Sequence, residues 1–390
     1  MPGHRGQAIN SESSVRTRHA GIELLRVVIM LQICYLHLAI YGGFESVAAG
    51  DKGSLKVIYW ILLLFSRCPV YIFIMITGYF LSTAGTKINI NRLLKVYFPM
   101  LFYSVVIRII FAIADGGIGK PVLIIKTLLP AVSKQWYFMT LYLLVVIFSP
   151  FLNLMIEKLD RRNFLILVGV LFFLFSIWQP LSKLEPMRQV FKIENIIWTE
   201  EGKGLYGFIY MYILGAYMRK HKFISKAEDG TTKIFDKPWI YIFIFLILLV
   251  LNVLLVLNYP DKRIEKVAYY YDHPITVLQG VCLFRIFEMI RLEKHPSVAR
   301  VIAFVSAGNL GVYMISESSR VRDLLWTDIF NISDPKFYNS RFWLIKMALI
   351  VLAVYCVCWL IDLFTRRVLT AFIRRKLRPR KAKAVRPSHL

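Results

Sequence analysis

Three ionisable residues stand where a membrane-crossing run should hold none. Gly21-Ile22-Glu23-Leu24-Leu25-Arg26 opens the first apolar stretch, and His37 follows within Cys34-Tyr35-Leu36-His37. An α-helix turns ~100° per residue, so the step from Arg26 to His37 closes three turns with ~20° left over and puts both on one face. Glu23 joins that face at ion-pair spacing from Arg26. At a rise of ~1.5 Å per residue, His37 lies about 16 Å further along the helix. Histidine is suited to taking a proton from a hydroxyl near neutral pH, and the planar guanidinium of arginine to binding phosphate or an oxyanion. Acyl transfer to a hydroxyl would use both: His37 as general base or transient acyl carrier, and Arg26, held by Glu23, on an anionic donor. The plainer explanation is that Glu23 and Arg26 snorkel to headgroups while His37 is a satisfied polar residue near the far interface. Three ionisable groups facing lipid are costly, which favours a face turned into a polar cavity.

The elements that must hold this face are membrane helices. Of 390 residues, 57% are hydrophobic and 19% charged, with a mean hydropathy of +0.56, more apolar surface than one soluble core can bury. Runs long enough to cross a bilayer, bounded by charge, Gly, Pro and Asn, predict an all-α polytopic bundle of about ten transmembrane helices. They fall near 22–42, 55–81, 94–114, 136–156, 163–182, 204–218, 238–258, 271–290, 299–318 and 342–365. The sixth is short, and the eighth and ninth carry polar residues. A polar N-tail (1–20) precedes the membrane domain (21–366), and a basic C-tail (367–390) follows it.

Charge sets the expected orientation. Roughly 28 Lys and Arg lie on the side of the two tails and roughly 15 on the other, which predicts cytoplasmic termini and a multi-pass protein of the cytoplasmic (inner) membrane. The net charge of +25 is spread over loops and tails rather than gathered on one polar domain, so nucleic acid is not an expected partner. The basic C-tail is expected against anionic lipid headgroups. Cys34, Cys68, Cys282, Cys356 and Cys358 all fall in apolar runs, which gives neither a disulfide framework nor a zinc spacing, and no metal is expected. The first run is too long for a signal-peptide core and reads as a retained helix. The connections 182–203, with Glu185, Glu194, Glu200 and Glu201, and 319–341 are expected to shape an acceptor site on the outside.

With Arg26, ten residues and then His37, the first helix resembles that of the acyltransferase-3 family of integral membrane acyltransferases. The resemblance runs in collinear order over nearly the whole chain. Phe73-Ile74-Met75-Ile76-Thr77-Gly78-Tyr79-Phe80 is similar to the family's Ser-Gly-Tyr-Phe ending of helix 2, with Thr for Ser. Gln135-Trp136-Tyr137-Phe138 leading to Ser149-Pro150-Phe151-Leu152-Asn153 is similar to its helix 4, and Tyr212-Ile213-Leu214-Gly215-Ala216-Tyr217 to its helix 6. Gly311-Val312-Tyr313-Met314-Ile315 is similar to its ninth helix, which usually ends in His where this chain has Ser316 and Glu317. The Arg-two residues-Arg pattern after helix 2 is Arg92-Leu93-Leu94-Lys95 here, which keeps charge but loses one bidentate fork.

The resemblance implies a ten-helix membrane O-acyltransferase that takes acetyl from acetyl-CoA, or another acyl-CoA, and places it on a sugar hydroxyl of a lipid-linked or cell-surface polysaccharide. It implies His37, Arg26 and Glu23 as the catalytic set. Arg92, Lys95 and Arg67 are the expected donor-binding residues, with a topology signal as the plain alternative for Arg92 and Lys95. Trp136, Tyr137, Tyr79, Asn153, Tyr313 and Glu317 are the expected substrate contacts, although Trp136 and Tyr137 also suit an interfacial belt. Arg108 either lines the same cavity or reaches the interface. In Tyr271-Asp272-His273-Pro274, Asp272 is expected to cap helix 8 and Pro274 to open it. A fused esterase-like domain, found in some relatives, is not expected, because the sequence ends soon after helix 10.

A glycan transporter or flippase is the competing reading, since the same polar face could line a translocation path. Against it stand the single motif-bearing helix and the absence of a visible inverted repeat. A structural scaffold would leave that face unexplained. No HExxH, GxSxG or phosphate-binding Gly loop accompanies His37, so neither metalloprotease nor serine-hydrolase chemistry is supported.

Overall fold

The computed structural model describes residues 19–51, 53–117, 119–182, 187–190, 200–221, 237–258, 262–292 and 294–377. The described residues are helical, with no strand among them. Eight helices are long and apolar enough to cross a membrane: Ala20–Tyr41, Ser54–Leu81, Ile90–Ala114, Tyr137–Lys158, Arg161–Trp178, Pro238–Asn258, Pro296–Ser316 and Trp343–Arg366. Two shorter helices, Leu205–Lys220 and Pro274–Glu288, fill the remaining expected places, and most of their residues are buried in the bundle. Numbered in chain order these ten are α1 to α10.

Two of the ten are broken. Helix α2 consists of α2a (Ser54–Phe65) and α2b (Pro69–Leu81), separated by Ser66, Arg67 and Cys68. The Phe65 carbonyl freed by the break accepts a hydrogen bond from Gln32 Nε2 of α1 at 3.0 Å, which a buried backbone acceptor inside a membrane requires. Helix α9 consists of α9a (Pro296–Ser306) and α9b (Asn309–Ser316), parted at Ala307–Gly308. Helix α5 (Arg161–Phe172) continues as a π-helical turn over Phe173–Trp178. Short helices at Phe44–Gly50, Pro121–Leu128 and Lys262–Ala268 lie in the connections.

Glycine sets the tightest helix contact. A Cβ on Gly78 of α2b would collide with the Tyr212 carbonyl of α6, and one on Gly215 of α6 would collide with the Met75 carbonyl of α2b. In lipid no hydrophobic force drives helices together, so close backbone approach at small residues takes over that role. The Asn153 side chain of α4 adds polar ties to the same region. It donates to the Leu81 and Gly85 carbonyls at 2.9 Å each and accepts from the Tyr212 hydroxyl at 2.7 Å. Lys220 closes α6 onto α4 by donating to the Ile156 and Leu159 carbonyls at 2.6 and 2.7 Å.

The observed boundaries depart from the sequence reading in instructive ways. Helix α3 starts at Ile90 rather than 94, because the Asn89 side chain caps it by accepting from the Arg92 N–H. Helix α10 runs through Trp343–Leu377, into the segment read as a tail. At α8 Pro274 does occupy the first turn, but His273 is the N-cap and no side-chain cap bond forms, so Asp272 does not cap the helix as expected. The N-tail to residue 18, Glu185, Glu194 and the C-tail beyond 377 lie outside the described residues.

Candidate functional site

Helix α1 runs parallel to α9 and is fastened to it at three heights. Near its start, Glu23 is 5% exposed and lies 2.9 Å from the Arg26 guanidinium, and the Ser306 hydroxyl donates to the second Glu23 oxygen. One turn on, Asn309 Nδ2 donates to the Arg26 carbonyl at 2.6 Å, and Tyr355 of α10 fixes that amide by donating to Asn309 Oδ1 at 2.8 Å. At the far end, His37 Nδ1 is 2.6 Å from Glu317 Oε1, at ion-pair distance though off the line of an ideal hydrogen bond. The three residues that sequence spacing put on one face therefore share a neighbour, and that neighbour is α9.

The Arg26 end is ionic. The guanidinium carbon of Arg26 sits 5.7 Å from the Phe80 ring centroid, and Tyr79 beside it accepts from Arg219 at 3.3 Å. Arg285 pairs with Glu288 and lies over the Tyr241 ring at 5.6 Å. Arg92, half-buried, and Lys95, exposed, lie in the first turns of α3, where the helix dipole adds to their attraction for an anion. Phe80, at the end of α2b, leads into the loop that Asn153 holds next to the start of α3. The cations at this end give it the charge to hold an anionic group.

The His37 end is built from tyrosines. His37 packs against the Tyr41 ring at 5.8 Å, and Tyr41 carries Arg322 over its face at 4.4 Å. Tyr313 stands on Phe138 at 5.5 Å, and Tyr137 lies beside Tyr271, Tyr313 and Arg67. Arg67 is 4% exposed and stacks on the rings of Tyr269 and Tyr271 at 5.2 and 4.5 Å. The Tyr71 hydroxyl donates to the Gly202 carbonyl at 2.9 Å, tying the connection before α6 across this end. Gly202 has φ +79 and Asp272 and Tyr71 pressed around its α-carbon, a position with no room for a side chain.

Glu23, Arg26 and His37 lie along one polar line, and Glu317, expected as a substrate contact, lies beside His37. A carboxylate that accepts from one imidazole nitrogen fixes the tautomer and leaves Nε2 to take a proton; here Glu317 lies 2.6 Å from Nδ1 without the alignment of that hydrogen bond. Arg67 falls at the His37 end, away from Arg92 and Lys95. Tyr79 falls at the Arg26 end, with the donor-binding candidates. Trp136 is 2% exposed and donates to the Met314 carbonyl at 3.1 Å, so it packs α4 on α9 instead of facing an interface. Asn153 is fully buried and its amide is taken up by protein partners. Tyr137 and Tyr313 stay at the His37 end, as candidate acceptor contacts. Arg108 reaches the turn at Gly119, close to Asp115. Among the described residues no cluster of His, Cys, Asp and Glu could hold a metal.

Sequence reasoning missed Gln32, Ser306 and Asn309. Each is a polar residue inside an apolar run, which is the signal that could have flagged them, but only the fold shows that Ser306 and Asn309 both serve α1.

A polytopic helix bundle with an internal polar line, ionic at one end and bearing a histidine–carboxylate pair at the other, is the frame of a membrane enzyme. The acyltransferase-3 family, described as an acyltransferase domain, matches residues 19–373, and the chain belongs to that family. No curated protein and no solved structure matches it significantly. The protein is thus a multi-pass membrane acyltransferase.

Proposed function

We propose that this acyltransferase moves an acetyl group from acetyl-CoA to a sugar hydroxyl of a lipid-linked or cell-surface polysaccharide, in the cytoplasmic membrane and with both chain ends in the cytoplasm. The observation that carries this reading is the His37–Glu317 pair at one end of α1 and the Glu23–Arg26 pair at the other. The donor's phosphates are held at the Arg26 end by Arg26, Arg92 and Lys95, where Glu23 and Ser306 fix the guanidinium fork. His37, oriented through Nδ1 by Glu317, removes the proton from the acceptor hydroxyl with Nε2 as the oxygen attacks the thioester carbonyl. The C–S bond breaks, the thiolate leaves with coenzyme A, and His37 returns the proton to it. The distance of about 16 Å between Arg26 and His37 suits a donor that lies extended along α1.

The test supplies purified protein in lipid with labelled acetyl-CoA and envelope glycan, and reads the glycan by mass spectrometry for an added acetyl. Label on the glycan with the wild type and none with His37→Ala supports the reading. Transfer that survives His37→Ala overturns the role of His37, and glycan movement across vesicles with no label incorporated would favour a transporter instead.

A further inference from the structure

The break in α2 leaves a cation unlike the others in the bundle. Arg26 has Glu23 and Arg285 has Glu288, but Arg67, 4% exposed, forms no ion pair with a described carboxylate. One guanidinium N–H donates to the Tyr269 carbonyl, the Tyr269 and Tyr271 rings cover its faces, and Nε is buried without a partner. A buried charge with neither a counter-ion nor a full set of acceptors is strongly disfavoured unless something else completes it.

A second feature converges on the same point. Arg67 immediately precedes α2b, a 13-residue helix whose N-cap, Cys68, supplies no side-chain cap and whose first residue is Pro69. The unbonded N–H groups of that first turn and the positive end of the helix dipole add to the field of Arg67. Tyr137 and Tyr313, whose hydroxyls can hydrogen-bond a sugar, stand around Tyr271, and Glu317 with His37 lies just beyond.

We infer that Arg67, the Tyr269 and Tyr271 rings and the first turn of α2b form an anion subsite on the acceptor side, so that the acceptor carries a carboxylate or phosphate near the hydroxyl to be acylated. This rests on the proposed function and names the acceptor class for it. The shared chemistry is a small oxyanion held by a guanidinium and backbone N–H groups. It has two sources: the carboxylate of an acidic sugar, or the phosphate linking a glycan to its lipid carrier.

The experiment reads binding and turnover separately. In binding, the thermal midpoint of the intact protein in lipid is followed with glucuronate, inorganic phosphate and neutral glucose. Stabilisation by glucuronate assigns the carboxylate source, stabilisation by phosphate the phosphate source, and each supports the subsite if Arg67→Gln abolishes it. No difference between the anions and glucose overturns it, and that comparison needs only the wild type should Arg67→Gln not fold. In turnover, Arg67→Gln is expected to raise the KM of a uronate-containing or phosphate-linked acceptor by about 100-fold, far more than it raises that of the carboxyl-reduced or phosphate-free acceptor. Arg67→Lys, which keeps the charge but not the fork, is expected in between. Equal losses on charged and neutral acceptors would overturn the proposal. Failure of acyl transfer by the wild type would count against the proposed function alone, because the binding measurement stands without it.

Discussion

The two ends of α1 solve the same problem, polar groups inside a membrane, with different chemistry. At the Arg26 end charge meets charge: Glu23 with Arg26, Glu288 with Arg285, and half-buried Arg92 and exposed Lys95 at the start of α3. At the His37 end hydroxyls and rings surround a histidine, a single carboxylate beside it and an arginine held by tyrosine faces. Ion pairs hold geometry against a charged ligand, whereas tyrosine hydroxyls and rings suit a hydroxyl-rich one. On the proposed reading, donor and acceptor duties fall at opposite ends of one helix, and substitutions should separate them.

The largest expected effect is at His37. His37→Ala should lower kcat by about a thousandfold, within the range for loss of a general base, while donor KM stays put. Radiometric acyl transfer checks it, and a change in donor KM of similar size would mean that the two ends are not separate. Glu317→Gln comes next. Loss of an orienting carboxylate should cost about a hundredfold in kcat, with partial recovery in Glu317→Asp and an intact thermal midpoint. A wild-type rate in Glu317→Gln would dissolve the pair.

The Arg26 end should answer in KM. Arg26→Ala is expected to raise the KM for the acyl donor by about tenfold or more and leave acceptor KM alone, with Arg26→Lys improving little because the fork is lost. Asn153→Ala should touch neither duty directly. Removing a fully bonded buried amide takes a donor from the Leu81 and Gly85 carbonyls and the acceptor from the Tyr212 hydroxyl, at a cost of about 1–3 kcal/mol in stability. A fall in the unfolding midpoint with near-normal acceptor KM is the expected readout, and a selective loss of acceptor binding would restore Asn153 as a substrate contact.

The smallest effect belongs to the exposed pair between Asp115 and Arg320, whose two hydrogen bonds measure 2.9 and 3.0 Å. The guanidinium hydrogen bonds hold the Asp115 carboxyl below its usual value of 3.8. A depressed carboxylate stabilises the folded protein at pH values above the unfolded value, and that contribution fades as pH falls from there through the folded value. Both side chains are solvent-screened, so Asp115→Asn should shift the midpoint barely at neutral pH and not at all once the carboxylate is protonated. Midpoints measured down an acid series check this.

Much of the fold was legible because membrane helices are long apolar strings, and the polar line was legible because Glu23, Arg26 and His37 lie within one helix whose period is known. The rest depends on pairings across the chain. Ser306 reaches Glu23 across 283 positions, and nothing local to either residue marks the other. Glu317 stands beside His37 only because α9 runs beside α1, which nothing local to either residue marks. Trp136, read for an interface or a sugar, turned inward because its indole N–H found a carbonyl on α9. The Arg67 setting required a broken helix, and an unbroken apolar count over 55–81 hides the break at Ser66–Cys68.

The three fastenings between α1 and α9 have one more consequence. Pinned at its start, one turn along and near its far end, α1 is unable to slide or rotate against its neighbour without undoing buried polar contacts. The span from Arg26 to His37 is therefore a fixed length, and on the proposed reading a donor laid along it is measured as if against a ruler, having to reach both marks.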